Sequence, residues 1–113
     1  MNTLACLALV MYMESRGESV TTQNYVGSVA LNLASQDNTS VCKSIQKPRR
    51  YSWQWDGKHT KVDTIQLKAL EEQAKKLIKK RSLSGYYYFN ECKLGKRFKT
   101  EKPLVKSGNL CFY

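Results

Sequence analysis

The stretch Thr3-Leu4-Ala5-Cys6-Leu7-Ala8-Leu9-Val10-Met11-Tyr12-Met13-Glu14-Ser15-Arg16-Gly17-Glu18 decides how this chain is read. Leu4, Leu7, Ala8 and Met11 recur at three- and four-residue spacing, the period of one helical face. Asn2 or Thr3 is the candidate N-cap and Gly17 the candidate stop, so a buried helix is expected over residues 3–15. The same apolar run imitates the core of a secretion signal. No Lys or Arg precedes it, no small-residue cleavage site follows, and Arg16 comes directly after, so the helix reading is preferred. Glu14 is the one acid inside the apolar pattern. In the last helical turn it meets the negative end of the helix dipole and little water. Both effects raise a carboxyl pKa, which suits a group that must hold a proton near neutral pH.

Outward from this helix, Val26, Val29, Ala30 and Leu33 make a second apolar stripe, expected as a helix over 22–35 with Thr21 or Thr22 as cap. Gly27 interrupts that stripe at a cost of about 1 kcal/mol relative to Ala, which points to a close helix crossing. Residues 36–62 read as largely irregular, with one helical turn after Ser40 covering Val41 to Ile45. The segment from Lys47 to Gly57 mixes Arg49, Arg50, Tyr51, Trp53 and Trp55 in one loop. The clearest helix spans 63–82. Asp63 and Gln66 fit a capping box, and Leu67, Leu70, Ala74, Leu77 and Ile78 form its apolar face. Glu71–Lys75 and Glu72–Lys76 have the spacing of favourable ion pairs. After Ser84-Gly85 the pattern turns to strand: an aromatic run from Tyr86 to Phe89, then Leu110 to Tyr113. The expected class is α+β, mainly α, as a single domain over residues 1–113.

The charge is uneven. Residues 1–42 hold one base and three acids, net −2; residues 43–113 hold 18 bases and 6 acids, net +12. The basic part can attract polyanions, or be a solvated face that keeps the chain soluble. Nothing approaches the ~20 apolar residues of a membrane span. None of the four cysteines sits in a C-x-x-C pair, and His59 is the single histidine, so neither a zinc site nor Cys–His catalysis is expected. Cys6 reads as a core thiol. Cys92 and Cys111 can meet across adjacent strands, but would stay reduced in a cytosol.

Cleavage of a glycosidic bond needs a proton delivered to the leaving oxygen, usually by a carboxylic acid with a raised pKa. Glu14 is the candidate acid. Glu18 is the alternative; a Gly17 break would turn it to bracing the backbone. Tyr51, Trp53, Trp55 and Tyr87 are candidate platforms for sugar faces, with Trp53 also readable as core. Asn32 and Asn90 are candidate sugar hydrogen-bond partners, or braces of helix and loop.

A resemblance runs through the chain in order. Tyr12-Met13-Glu14-Ser15-Arg16-Gly17-Glu18 resembles the E-A-R-G-E signature of the SleB-type cell-wall hydrolases, the family of spore cortex-lytic enzymes and several phage endolysins. Gln23 with Val26-Gly27 and Val29 resembles that family's G-Q-x-A-V-G-x-V, and Leu31-Asn32 its L-N-R. Val41-Cys42 resembles T-V-C, and Tyr51-Ser52-Trp53 resembles F-S-W. Tyr87-Tyr88-Phe89-Asn90 resembles the aromatic strand, and Gly108-Asn109 with Phe112-Tyr113 the closing G-x-H-x-F-Y. The chain departs at Ser15, Ser19, Thr22, Leu33 and Leu110.

The resemblance implies a compact lysozyme- or lytic-transglycosylase-like domain, in which a helical lobe and a small β region flank a glycan groove. It implies that Glu14 acts first as acid and then as base between N-acetylmuramic acid and N-acetylglucosamine. The expected partners are peptidoglycan, anionic envelope polymers and a pore-forming holin that releases a monomeric enzyme from the host cytoplasm. No cofactor and no nucleic acid is expected. The rival readings are a basic nucleic-acid-binding protein, an amidase and an inactive virion component.

Overall fold

Among the described residues, four α-helices come first and a three-stranded sheet last. The computed structural model describes residues 2–48, 50, 51, 53, 62–80, 85–94 and 103–113. The helices are α1 (Thr3–Ser15), α2 (Val20–Gln36), α3 (Val41–Ile45) and α4 (Thr64–Lys80). The strands are β1 (Phe89–Glu91), β2 (Val105–Ser107) and β3 (Leu110–Phe112), with a 3-10 turn at Cys92–Leu94. The expected class, α+β and mainly α, is what forms.

Helix α1 has the expected bounds. Asn2 Oδ1 accepts the Ala5 N–H at 2.8 Å, and Gly17 turns the chain away at φ +84°. Leu7, Ala8, Val10 and Met11 are fully buried, because α2, α3 and α4 all pack on this helix. Helix α2 starts earlier than the apolar stripe suggests. Ser19, not Thr21 or Thr22, is the cap, its Oγ accepting the Thr22 N–H at 3.2 Å. Gly27 marks the close crossing: a Cβ there would lie 2.6 Å from Leu77 Cδ1 and 2.9 Å from Met11 Sδ.

Helix α4 is capped by Asp63, whose Oδ1 accepts from Ile65 and Gln66 N–H at 2.9 and 3.2 Å. Asp63's own N–H donates to the Tyr12 hydroxyl at 2.9 Å, so the helix start is fastened to α1. Leu70, Ala74 and Leu77 are buried, while Ile78 sits at the edge of that face and is 38% exposed. Neither Glu71–Lys75 nor Glu72–Lys76 is among the ion pairs of the described residues; Glu72, Lys75 and Lys76 are exposed and Glu71 half-buried.

The sheet order is β1-β3-β2, antiparallel throughout. Phe89 pairs with Phe112 and Glu91 with Leu110; Val105 and Ser107 flank Phe112 and Leu110 on the other side. The aromatic run enters this ladder late. Tyr87 N–H donates to Tyr113 O at 2.9 Å and Tyr113 N–H to Tyr88 O at 2.8 Å before β1 begins. Phe112 is fully buried among the rings of Tyr25, Tyr86 and Phe89. Polar links join sheet to helices. Thr22 Oγ1 and Ser107 Oγ lie 2.6 Å apart, and Asn32 Nδ2 donates to Tyr86 O at 2.9 Å.

All four cysteines are paired, which corrects the core-thiol reading of Cys6. Its Cα lies 5.4 Å from that of Cys42, and the two form a disulfide from α1 to α3. Cys92, in the turn directly after β1, does meet Cys111 of β3, also as a disulfide. No helix among the described residues is long and apolar enough to cross a membrane.

Candidate active site

Glu14 lies in the last turn of α1, half-buried beside a helix whose other face is core. Ser15, next to it, is turned inward: its hydroxyl donates to the Met11 carbonyl at 2.6 Å. Among the described residues the Glu14 carboxyl has one hydrogen-bond partner, the Trp53 indole N–H, which donates to Oε1 at 2.9 Å. Burial pushes its pKa above the ordinary carboxylate value, and the Trp53 bond opposes that rise in part. A proton on this group is therefore easier to keep near neutral pH than on a surface Glu.

The segment carrying Trp53 is fixed from below. Asp37, at the end of α2, accepts from Lys47 Nζ, Arg50 Nη1 and Ser44 Oγ. The Arg50 and Lys47 charges hold the Asp37 carboxyl well below its usual pKa. Arg50 also donates to the Ser44 carbonyl at 3.1 Å. Tyr51 follows directly. It is 5% exposed, and its ring stacks on Trp53 with centroids 6.0 Å apart and planes 27° apart. Burial and the nearby Glu14 charge push the Tyr51 hydroxyl well above its ordinary pKa, so it stays protonated.

An open cleft of about 980 Å³ runs from this end of α1 to the sheet. The helix end supplies Glu14, Arg16 and Glu18; β1 and its turn supply Asn90, Glu91 and Lys93; the β2–β3 hairpin supplies Lys106 and Gly108. The volume lies at the upper end of the range typical for ligand pockets. Glu18 leans across to the hairpin. Gly108 sits at φ +58°, and a Cβ there would run into the Glu18 carboxylate. Lys93 pairs with Glu91 at 3.3 Å.

Of the residues singled out from sequence, Glu14, Glu18 and Asn90 line the cleft together. Tyr51 does not: it is interior, so its ring is closed to a sugar. Trp53 is half-buried and holds Glu14, so the carboxyl, not a sugar face, is what its N–H meets. Asn32 is 9% exposed and braces Tyr86, the structural of its two readings. Tyr87 is 49% exposed, outside the cleft wall. Trp55 and His59 lie outside the described residues. Arg16, Lys93 and Lys106 were missed as cleft residues. Arg16 had a signal, as the single base of residues 1–42 and a neighbour of Glu14; nothing in the lysine-rich remainder separates Lys93 and Lys106 from the other bases. All four thiols are consumed by disulfides, which leaves no cysteine as nucleophile or zinc ligand. Comparison with protein-family models, curated proteins and solved structures finds no match for this chain.

Proposed function

We propose that this chain is an endolysin-type enzyme that cuts the glycan strand of peptidoglycan, with Glu14 as its acid and base. One observation carries this reading: a half-buried carboxyl with a raised pKa lines an open cleft large enough for sugar rings. The order of motifs that resembles the SleB-type hydrolases supports it, and so would a lysozyme- or lytic-transglycosylase-like arrangement of helical lobe and sheet around the groove.

The reaction follows from one proton. Glu14 gives its hydrogen to the bridging oxygen as the bond to C1 of N-acetylmuramic acid breaks. The 6-hydroxyl of that sugar then closes on C1, and its proton returns to the Glu14 carboxylate. No water enters and a 1,6-anhydro end remains. Glu18, in the same cleft, supports a second outcome: a second carboxylate that activates water would leave a reducing end and make the enzyme a muramidase.

The partners follow the charge. Lys68, Lys75, Lys76, Lys79 and Lys80 are exposed on α4, and none is in an ion pair among the described residues. They form a surface for the anionic polymers of the envelope, away from the cleft. We place the monomeric enzyme in the host cytoplasm until a holin pore releases it to the wall, where an oxidising compartment favours its disulfides. An amidase with a cysteine-held zinc is disfavoured by the paired thiols. A nucleic-acid-binding protein would retain DNA whether or not position 14 is an acid.

The test is Glu14→Gln with mass spectrometry of the released muropeptides. Loss of a general acid should slow lysis of permeabilised cells by about a thousandfold, near the middle of the usual range. Anhydro ends identify a transglycosylase, reducing ends a muramidase. Undiminished lysis by Glu14→Gln, or release of free stem peptides, overturns the proposal.

A further inference from the structure

A carboxylic acid can place its proton on either oxygen, and a general acid works only if the right one carries it. We infer that Trp53 is the positioning residue for Glu14, holding Oε1 as an acceptor so that the transferable proton resides on Oε2. This rests on the reading of Glu14 as the acid.

The argument begins with the indole. Trp Nε1–H is a donor and nothing else. At 2.9 Å it occupies Oε1, and a proton on that oxygen would point hydrogen at hydrogen. Among the described residues no side chain bonds Oε2, and Glu14 lines the cleft, so Oε2 is the oxygen left to meet a substrate. The indole itself cannot swing away cheaply. Tyr51 stacks on it at 6.0 Å, and Tyr51 is 5% exposed. Arg50, one residue earlier, is locked to Asp37 and Ser44. The donor thus follows directly on two anchored residues, Arg50 and Tyr51. A merely structural Trp would need packing alone; here its one polar atom is aimed at the one acid of α1.

Tyr51 serves the same end through its ring. Its hydroxyl is buried without a hydrogen-bond partner among the described residues, so the ring, not the oxygen, makes its contribution here.

The other charges near Glu14 are fixed background. Arg16 and Glu18 come from the same helix end; Glu91, Lys93 and Lys106 face the cleft from the sheet. Among the described residues Trp53 bonds to none of them, so a change at position 53 leaves them in place.

The experiment is a carbon-13 NMR titration of the Glu14 carboxyl in the whole chain, which reads the group whether or not the protein cuts glycan. Trp53→Phe removes a donor that favours the ionised form, so the midpoint should rise by about half a pH unit or more. The basic limb of the lysis–pH profile should move the same way. Tyr51→Phe keeps the ring and should leave the midpoint in place. Benzothienylalanine at position 53 keeps both rings and lacks only the N–H; it guards against a Trp53→Phe variant that does not fold, and must raise the midpoint too. A midpoint that stays or falls in the folded isostere overturns the inference. Lysis that survives Glu14→Gln, beside a midpoint that shifts, would instead remove the enzyme reading and leave Trp53's hold on the proton standing.

Discussion

At the scale of single residues, Glu14 has two opposed consequences. Folding raises its pKa, so the folded chain binds that proton more tightly than the unfolded chain does. Stability contributed by Glu14 is then present below the ordinary carboxylate pKa, and is lost as pH rises through the folded value. Gln cannot ionise, yet its carbonyl can still accept from Trp53. Glu14→Gln should therefore lose lysis and gain stability at neutral pH, with the gain vanishing in acid; thermal melts across the pH range check this. Gly27 makes a second residue-scale prediction. A methyl at 2.6 Å from Leu77 and 2.9 Å from Met11 overpacks the crossing, so Gly27→Ala should cost about 1–3 kcal/mol in chemical denaturation. Both positions stood out in the sequence, Glu14 as a lone acid in an apolar period and Gly27 as a glycine inside one, read as a close helix crossing. Trp53's role was not. Its partner lies 39 positions away, and a single Trp in a loop carries no periodic signal to say which way it points.

At the scale of elements, the helices were readable because each carries its own cap and stripe. Asn2, Ser40 and Asp63 all cap where local chemistry places them. Ser19 was passed over because the apolar stripe begins several residues after it, and a cap is set by the first free N–H groups rather than by the core. Strand β2 was invisible in sequence. Three residues are too few for an alternating pattern, and Val105–Ser107 is a strand because β3 lies beside it. Strands this short are marginal alone. The Cys92–Cys111 link, 19 residues apart, should supply about 3 kcal/mol by shortening the open chain. Cys92→Ser with Cys111→Ser should lower stability by that order and loosen the sheet wall of the cleft, read by denaturation and by hydrogen exchange at Phe89–Glu91. The Asp37 cluster works in the opposite pH direction to Glu14. Its lowered pKa gives stability above the ordinary carboxylate range, lost as pH falls below it. Acid should release the Ser44–Tyr51 segment first, seen as a change in Trp53 fluorescence.

At the scale of the whole molecule, charge is divided along the chain. Residues 1–42 are net −2, while residues 43–113, net +12, carry α4 and its exposed lysines. Attraction to an anionic wall should weaken with salt, because exposed charges are screened within ~10 Å at 0.1 M. Binding to sacculi should fall as salt rises, and Lys75→Glu with Lys79→Glu should flatten that dependence while sparing lysis at low salt. This division was readable from counts of residue type; the joining of helices to sheet was not. Thr22 with Ser107, and Glu18 against Gly108, pair positions more than eighty residues apart that no local rule connects. That last contact also restricts how the chain can vary. With the hairpin tip pressed against an acid, positions 18 and 108 must change together or not at all. A shortened acid, Glu18→Asp, should rescue part of the damage done by Gly108→Ala, the part due to collision. The remainder, about 1–2 kcal/mol, belongs to a left-handed backbone that alanine resists whatever stands opposite.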